Sequence, residues 1–176
     1  MTLAPAIREQ VRQRAGFACE FCGVTETDAG GLLTVDHFQP RNKGGDDTLG
    51  NLVYCCVCCN LYKAAYWPAG AQEPALWNPR REPAAFHFVE LDNGLLHPLT
   101  SVTAFTAGRL RLNRLPLVAW RLQRHRRAEE RRLLRHYRDL VNLLEPLRRE
   151  QAELLKEQQR LLSEQRALLR LLLGER

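Results

Sequence analysis

At 176 residues, with 26 Lys/Arg against 20 Asp/Glu and a formal net charge of +6, the chain is sized for one compact domain plus an extension rather than for two full domains. No run approaches the roughly 18 apolar residues a membrane span needs, and the opening MTLAPAIREQ, already charged at Arg8, lacks a signal-peptide apolar core, so a cytoplasmic protein is expected. In a reducing compartment, six cysteines are more readily metal ligands than three disulfides.

The net charge hides an asymmetry. Residues 1–100 carry eight basic and eleven acidic groups, whereas residues 101–176 carry 18 basic and nine acidic ones. A basic C-terminal part implies either a polyanionic partner or a solvated helix face.

Along the chain, Ile7 and Val11 lie four apart in charged surroundings and Gly16 closes the pattern, which predicts a short N-terminal helix over 5–16. Two cysteine clusters follow, around a strand-like Leu32-Leu33-Thr34-Val35 and a loop from Gln39 to Gly50 rich in Gly, Asn and Asp. Four prolines between 67 and 83 predict a connection without regular structure. Phe86 to Leu91 reads as a strand, Asp92-Asn93-Gly94 as a tight turn and Leu95-Leu96 as the return, giving a β-hairpin. After Pro116 the composition becomes Arg, Leu, Glu and Gln, strong helix formers, with Pro146 either kinking one helix or opening a second.

Cys19-Glu-Phe-Cys22 and Cys56-Val-Cys-Cys59 are two C-x-x-C knuckles separated by 33 residues. Zinc takes four thiolates tetrahedrally, and each knuckle presents two sulfurs from one backbone reversal, so two knuckles make a closed structural site. Cys55 and Cys58 form a second C-x-x-C frame, and spacing alone leaves the choice between the frames open. The surplus pair would be small buried hydrophobes.

Between and beyond the knuckles run Thr34-Val35-Asp36-His37-Phe38-Gln39-Pro40, Lys43-Gly44-Gly45, Asn51-Leu52 and Asn60-x-x-Lys63. In this order, over about 50 residues, the chain resembles the cysteine-bearing branch of the HNH endonuclease family. In that family, a His or Asn directly follows the last cysteine. Asn60 in that place implies the Cys56 and Cys59 frame for the zinc.

The resemblance implies a ββα-metal core with two zinc knuckles, and with the small hairpin extension and the long C-terminal helical, coiled-coil-like tail read from the residues themselves the expected fold is α+β. The expected divisions are 1–66, 67–116 and 117–176. The resemblance also implies His37 as general base, Asp36 and Asn60 as ligands of one catalytic Mg²⁺ or Mn²⁺, and Asn51 as the residue that braces the loop and orients His37.

The residues suit those roles on chemical grounds. Phosphodiester hydrolysis needs an activated water and a means of stabilising the charge that develops on the phosphate. An imidazole titrating near neutrality can take the water's proton. Carboxylate and amide oxygens are the hard ligands that Mg²⁺ and Mn²⁺ prefer. Lys63, one turn on from Asn60, is placed to reach a phosphate. One tension remains: neighbours on a strand point to opposite faces, so Asp36 and His37 can serve one phosphate only if the strand ends or twists there.

The expected activity is a metal-dependent DNA endonuclease or nickase. The alternative is a zinc-ribbon protein that binds DNA or recruits a partner without cutting, although a plain ribbon has no need of Asp36, His37, Asn51 and Asn60.

Beyond the knuckles, Asn78-Pro79-Arg80, His87-Phe88, Leu99-Thr100 and Arg109-Leu-Arg-Leu-Asn113 resemble an extension of some stand-alone bacterial HNH proteins, and they read as structural polar groups. In the basic segment, Arg121, Arg124, Arg127 and Arg131 are the candidates for DNA-backbone contact, against the alternative of a solvated face. Finally, Leu133, Leu140, Leu147, Leu154, Leu161 and Leu168 recur every seven residues. Such a stripe argues for helix pairing, and a homo-oligomer through residues 133–172 is the expected use. Packing back on the nuclease core or within a larger bundle suits the widened apolar face as well.

Overall fold

A computed structural model describes residues 3–70 and 72–173. The chain divides into two compact units, Met1–Arg124 and His125–Arg176, each described by itself. The first unit runs on through positions 66 and 116, because residues of the extension share a core with the cysteine region.

In the first unit, α1 (Pro5–Arg14) starts with proline in its first turn, where the missing N–H costs nothing. It buries Val11 completely against the sheet. Arg14 ties α1 to the next elements by donating to the carbonyls of Leu49 and Leu52, both at 2.6 Å.

A short helix α2 (Glu26–Ala29), capped by Thr25, was not anticipated. Its Glu26 accepts from Arg12 at 2.6 and 2.8 Å and from the Tyr54 hydroxyl. The Arg12 hydrogen bond, then the Tyr54 one, holds the Glu26 carboxyl down at about 2.

Strand β1 (Thr34–His37) pairs antiparallel with β2 (Leu52–Cys55), with Asp36 opposite Val53 and His37 opposite Leu52. The strand expected over Leu32–Val35 is therefore displaced toward the C-terminus. The Leu33 N–H donates to the Tyr54 hydroxyl at 2.9 Å instead of to a ladder carbonyl, and Leu32 is exposed. Helix α3 (Val57–Lys63) follows β2 directly and completes a ββα unit.

Among the described residues, the connection after α3 carries no regular element until a 3₁₀ turn at Ala84–Phe86. The expected hairpin is present as β3 (Phe88–Glu90) and β4 (Leu96–Pro98). Its turn needs Gly94 twice over: φ is +77°, and a Cβ there would lie 2.8 Å from the Val118 carbonyl oxygen. Helix α4 (Ser101–Arg109), also unanticipated, opens with a Thr100–Thr103 capping box. Threonine at the third position in place of Glu or Gln, in a β-branched stretch, disguises that signal.

Leu76, Trp77, Leu110, Leu112 and Leu117 bury themselves in one core with Leu52 and Val53 of β2, so the extension backs the ββα unit.

Helix α5 (Leu115–Leu172) begins in this unit and supplies the second. Pro146 lies inside it, so the run is one helix and is not interrupted there. Proline removes a single backbone donor, and the turns on either side keep theirs. Within the second unit, every described residue from Arg126 to Leu173 is exposed.

Candidate active site and metal centre

The first knuckle is a turn in which Gly23 N donates to the Cys19 carbonyl at 2.8 Å with φ of +79°. The second is the start of α3: Cys56 is the N-cap, its sulfur accepts from Cys59 N at 3.4 Å, and Cys59 sits one turn in. The sulfurs of Cys19, Cys22, Cys56 and Cys59 all lie within 4.8 Å of one another, with Cys22 and Cys56 3.7 Å apart. Four thiolates about 2.3 Å from a tetrahedral zinc would be about 3.8 Å apart, so the donor set fits such an ion.

Cys55, the last residue of β2, turns the other way into the core beside Thr34, and Cys58 is exposed. Strand alternation at Cys55 and helical spacing from Cys56 to Cys59 together select the frame.

Crowding ties the protons of the four thiols together. Hydrogen bonds from Cys19, Cys22 and Cys59 lower Cys56, while hydrogen bonding within the cluster raises Cys22 and Cys59. Arg114 places Nη2 3.9 Å from the Cys56 sulfur. Burial acts to lower its pKa, but the negative charge of the cysteines outweighs this and raises it.

At the end of β1, Asp36, His37, Arg41, Asn60 and Lys63 line one cleft of about 290 Å³. The tension between adjacent strand residues resolves here, because the strand stops at His37 and the chain turns away. The next residue, Phe38, donates its N–H to the Asn51 carbonyl at 2.7 Å.

Asn51 clamps the loop. Its Oδ1 accepts from Gln39 N at 2.8 Å, and its Nδ2 donates to the carbonyls of Gln39 at 3.1 Å and Asp46 at 2.8 Å. Gly45 passes so close that a Cβ there would sit 1.8 Å from the Gln39 carbonyl oxygen and 2.8 Å from Asn51 Nδ2.

The clamped loop delivers Asp47, which sequence reasoning missed. Its Oδ1 lies 2.7 Å from His37 Nε2, and Arg41 donates to both its oxygens at 2.5 to 2.9 Å. The Arg41 hydrogen bonds first, then the His37 one, lower the Asp47 pKa. An ionised carboxylate only accepts, so this contact is made with a proton on Nε2, and Nδ1 is then the ring nitrogen left to accept one. The only signal for this in the sequence is a second aspartate in Gly-Gly-Asp-Asp.

Two expectations change on geometry. Lys63, expected to reach a phosphate, is buried, with Nζ 2.7 Å from both Asp36 Oδ2 and the His37 carbonyl. Arg121, expected on a DNA-facing surface, is also buried, donating to the carbonyls of Gly94 at 3.0 Å and Leu112 at 2.7 Å. Both side chains are long enough to reach inward to acceptors that would otherwise go unpaired. Arg124 pairs with Glu90 and stacks over Trp120. Arg127 and Arg131 are exposed.

The fold and site define a class: a small α+β domain with a ββα unit pinned by four cysteines positioned to bind a metal such as zinc, and a His–Asp–Asn cleft at the strand end. Residues 19–65 match the family model described as HNH endonuclease, and that family is in general one of nucleases. No curated protein and no solved structure gives a significant match to the chain. Among the described residues, no helix is long and apolar enough to cross a membrane.

Proposed function

We propose that the chain is a metal-dependent DNA endonuclease or nickase whose reacting phosphate sits in the cleft of Asp36, His37 and Asn60. The observation that carries this reading is the His37–Asp47 contact, since it leaves a basic Nδ1 on a ring whose other nitrogen is fixed. Zinc in the four-cysteine centre would be structural, since the four thiolates close a tetrahedron and leave no open position.

Asp36 and Asn60 would hold one Mg²⁺ or Mn²⁺. The donor set suits these hard ions: Lys63 engages one Asp36 oxygen, and the Asn60 side chain makes no hydrogen bond among the described residues. When bound, the ion stabilises charge on the phosphate oxygens and on the leaving group. His37 Nδ1 takes a proton from water as the water oxygen attacks phosphorus. The P–O bond to the 3′ oxygen breaks, and that oxygen leaves with a proton from solvent. Asp47 offsets the charge gained by the imidazolium, and Asn51 keeps the loop that carries Asp47 in place. Arg41, in the same cleft, holds the Asp47 carboxylate through both its oxygens and so helps to keep it against His37.

Incubating the purified full chain with supercoiled plasmid and Mg²⁺ or Mn²⁺ tests the reading. Relaxed or linear product that depends on the ion is expected, and His37→Ala is expected to lose about 10²–10⁴-fold in rate with its zinc content unchanged. A wild-type chain that binds plasmid but leaves it intact with either ion would favour the non-cleaving zinc-ribbon protein.

A further inference from the structure

The structure contains a second, larger cleft, of about 1100 Å³, and we propose that it receives one or two unpaired nucleotides of a nucleic acid. The proposal rests on the nucleic-acid reading above but assigns a different place and a different role.

Three parts of the chain meet there. The loop clamped by Asn51 supplies Gln39, Asp46 and Asn51 itself, whereas its Pro40 and Arg41 line the catalytic cleft. One loop thus forms part of both walls. The turn after α3 supplies Tyr66 and Trp67. The extension supplies Trp77, Asn78, Arg80, Arg81, His87 and Thr100. The short motifs of residues 78–100, to which the catalytic reading gives no task, therefore converge on one cavity.

The lining has the chemistry of a nucleotide site. Trp67 is half-buried and stands edge-on to Phe38 at 5.9 Å, leaving an aromatic surface on which a base can stack irrespective of its identity. Trp77 Nε1 and the Nε atoms of Arg14 and Arg80 are buried without a hydrogen-bond partner among the described residues, and all three are obligate donors. Unpaired buried donors are uncommon in folded proteins and call for an acceptor. Base carbonyls, ring nitrogens and phosphate oxygens supply acceptors.

Charge points the same way. Of the two acidic residues of the lining, Asp46 accepts from Thr48 at 2.7 Å, and Glu82 lies beside His87 Nε2. Arg80 is held by Glu20 behind it. Arg81 is exposed and has no ion pair among the described residues, so one cation is left to meet a phosphate.

Trp67 and Trp77 report on this cleft, and Trp120 is the only other tryptophan in the chain. Fluorescence of the full chain carrying Trp120→Phe, without Mg²⁺ so that nothing is cut, can be titrated with thymidine 5′-monophosphate, single-stranded oligothymidylate and inorganic phosphate. Saturable quenching by the two nucleotide probes at concentrations where phosphate has no effect is expected. Arg81→Ala and Trp67→Leu should each weaken binding at least tenfold, with zinc content and circular dichroism unchanged. Arg81 is exposed, so its variant remains informative if the tryptophan variant fails to fold.

Tighter binding of a duplex with one unpaired thymidine than of its fully paired counterpart would identify the occupant as part of the DNA. Saturation by the free monophosphate with no such preference would identify a free nucleotide. Absence of saturable quenching by both nucleotide probes, quenching by phosphate equal to theirs, or an Arg81→Ala chain with wild-type affinity would overturn the proposal. None of these readouts depends on cutting, so a wild-type chain that leaves plasmid intact with either ion would remove the nuclease reading and leave this one standing.

Discussion

Lys63 Nζ lies 2.7 Å from Asp36 Oδ2 and 2.7 Å from the His37 carbonyl, joining the last turn of α3 to the end of β1 through a side chain that is only 1% exposed. The lysine fixes one carboxylate oxygen and the backbone of the adjacent histidine together, which suits it to positioning both residues. Removing one member of a buried ion pair leaves the other uncompensated, but Asp36 keeps some access to solvent. Lys63→Met is therefore expected to destabilise the fold by about 2–3 kcal/mol, below the full cost for a fully buried pair. It should also raise the Mg²⁺ or Mn²⁺ concentration needed for half-maximal cutting. Denaturant unfolding and a metal titration check the two effects, and a wild-type metal requirement would show that Lys63 has only a structural role.

Asp47 and Asn51 act on His37 at different removes, which separate variants can distinguish. Asp47→Asn keeps the shape and can still accept from Nε2, but it supplies no charge to offset the imidazolium. It is expected to lower kcat about 10-fold or more and to alter the pH–rate profile, leaving stability near wild type. Asn51→Ala removes three loop hydrogen bonds at once and is expected to lower both stability and kcat. If Asp47→Asn cut DNA at the wild-type rate across the pH range, the contact would have no part in the reaction.

The cysteine frame predicts opposite metal retention at neighbouring positions. Cys56→Ser should lose the metal and unfold the first unit, since structural zinc supplies about 10–16 kcal/mol of apparent folding energy in small metal domains. Cys55→Ser should keep the metal and lose stability only through its buried position beside Thr34. Metal analysis of the two purified variants decides it, and metal retained in Cys56→Ser alone would reverse the assignment.

The parts of this site that could be read from sequence are those fixed by local chemistry. Cysteine spacing marks a closed metal site whatever the surrounding fold, and Asp36-His37 and Asn60 mark the cleft by type and order, with Asn51 marking the loop beside it. What could not be read depends on distance in space. Asp47 reaches His37 only because Asn51 and the bare backbone of Gly45 fold the intervening loop tightly. Lys63 and Arg121 look like surface cations in sequence, yet each turns inward to acceptors supplied by other segments. Helix α4 was hidden by its threonines, whose β-branching argues for strand while their hydroxyls supply the cap.

Glu26 makes the first unit sensitive to acid. Its folded-state carboxyl lies near 2 against an ordinary 4.5, held there chiefly by Arg12 and then by Tyr54. A depressed carboxyl contributes stability that is complete above the ordinary value and is lost as pH falls from about 4.5 toward 2. Glu26→Gln preserves the size of the side chain and removes that charge, so the fall in Tm across this window should be shallower in the variant than in wild type. Comparing the two chains cancels the loss of metal that acid causes in both. Parallel Tm curves would remove Glu26 from the account of acid unfolding.

The second unit offers the last prediction. Leu133, Leu140, Leu147, Leu154, Leu161 and Leu168 repeat every seven residues along α5 and are all exposed, as are Leu134, Val141, Leu155, Leu162 and Leu169 beside them. Exposed apolar surface on this scale is uncommon in a monomer, and each leucine taken out of water contributes about 2 kcal/mol. A seven-residue period keeps such a stripe facing a neighbouring helix only when the helices supercoil. We propose that the neighbour is a second copy of the chain. The row four residues after the leucines includes Gln151, Gln158 and Gln165, and polar groups at such positions cost stability while fixing register. Leu154→Gln combined with Leu161→Gln is expected to shift the full chain toward monomer at tens of micromolar, as is ending the chain at Glu145. Analytical ultracentrifugation measures both. A full-length wild-type chain that sediments as a monomer at that concentration would refute self-association. A dimer, by bringing two nuclease domains to one duplex, should give linear plasmid earlier in the time course than the double variant does.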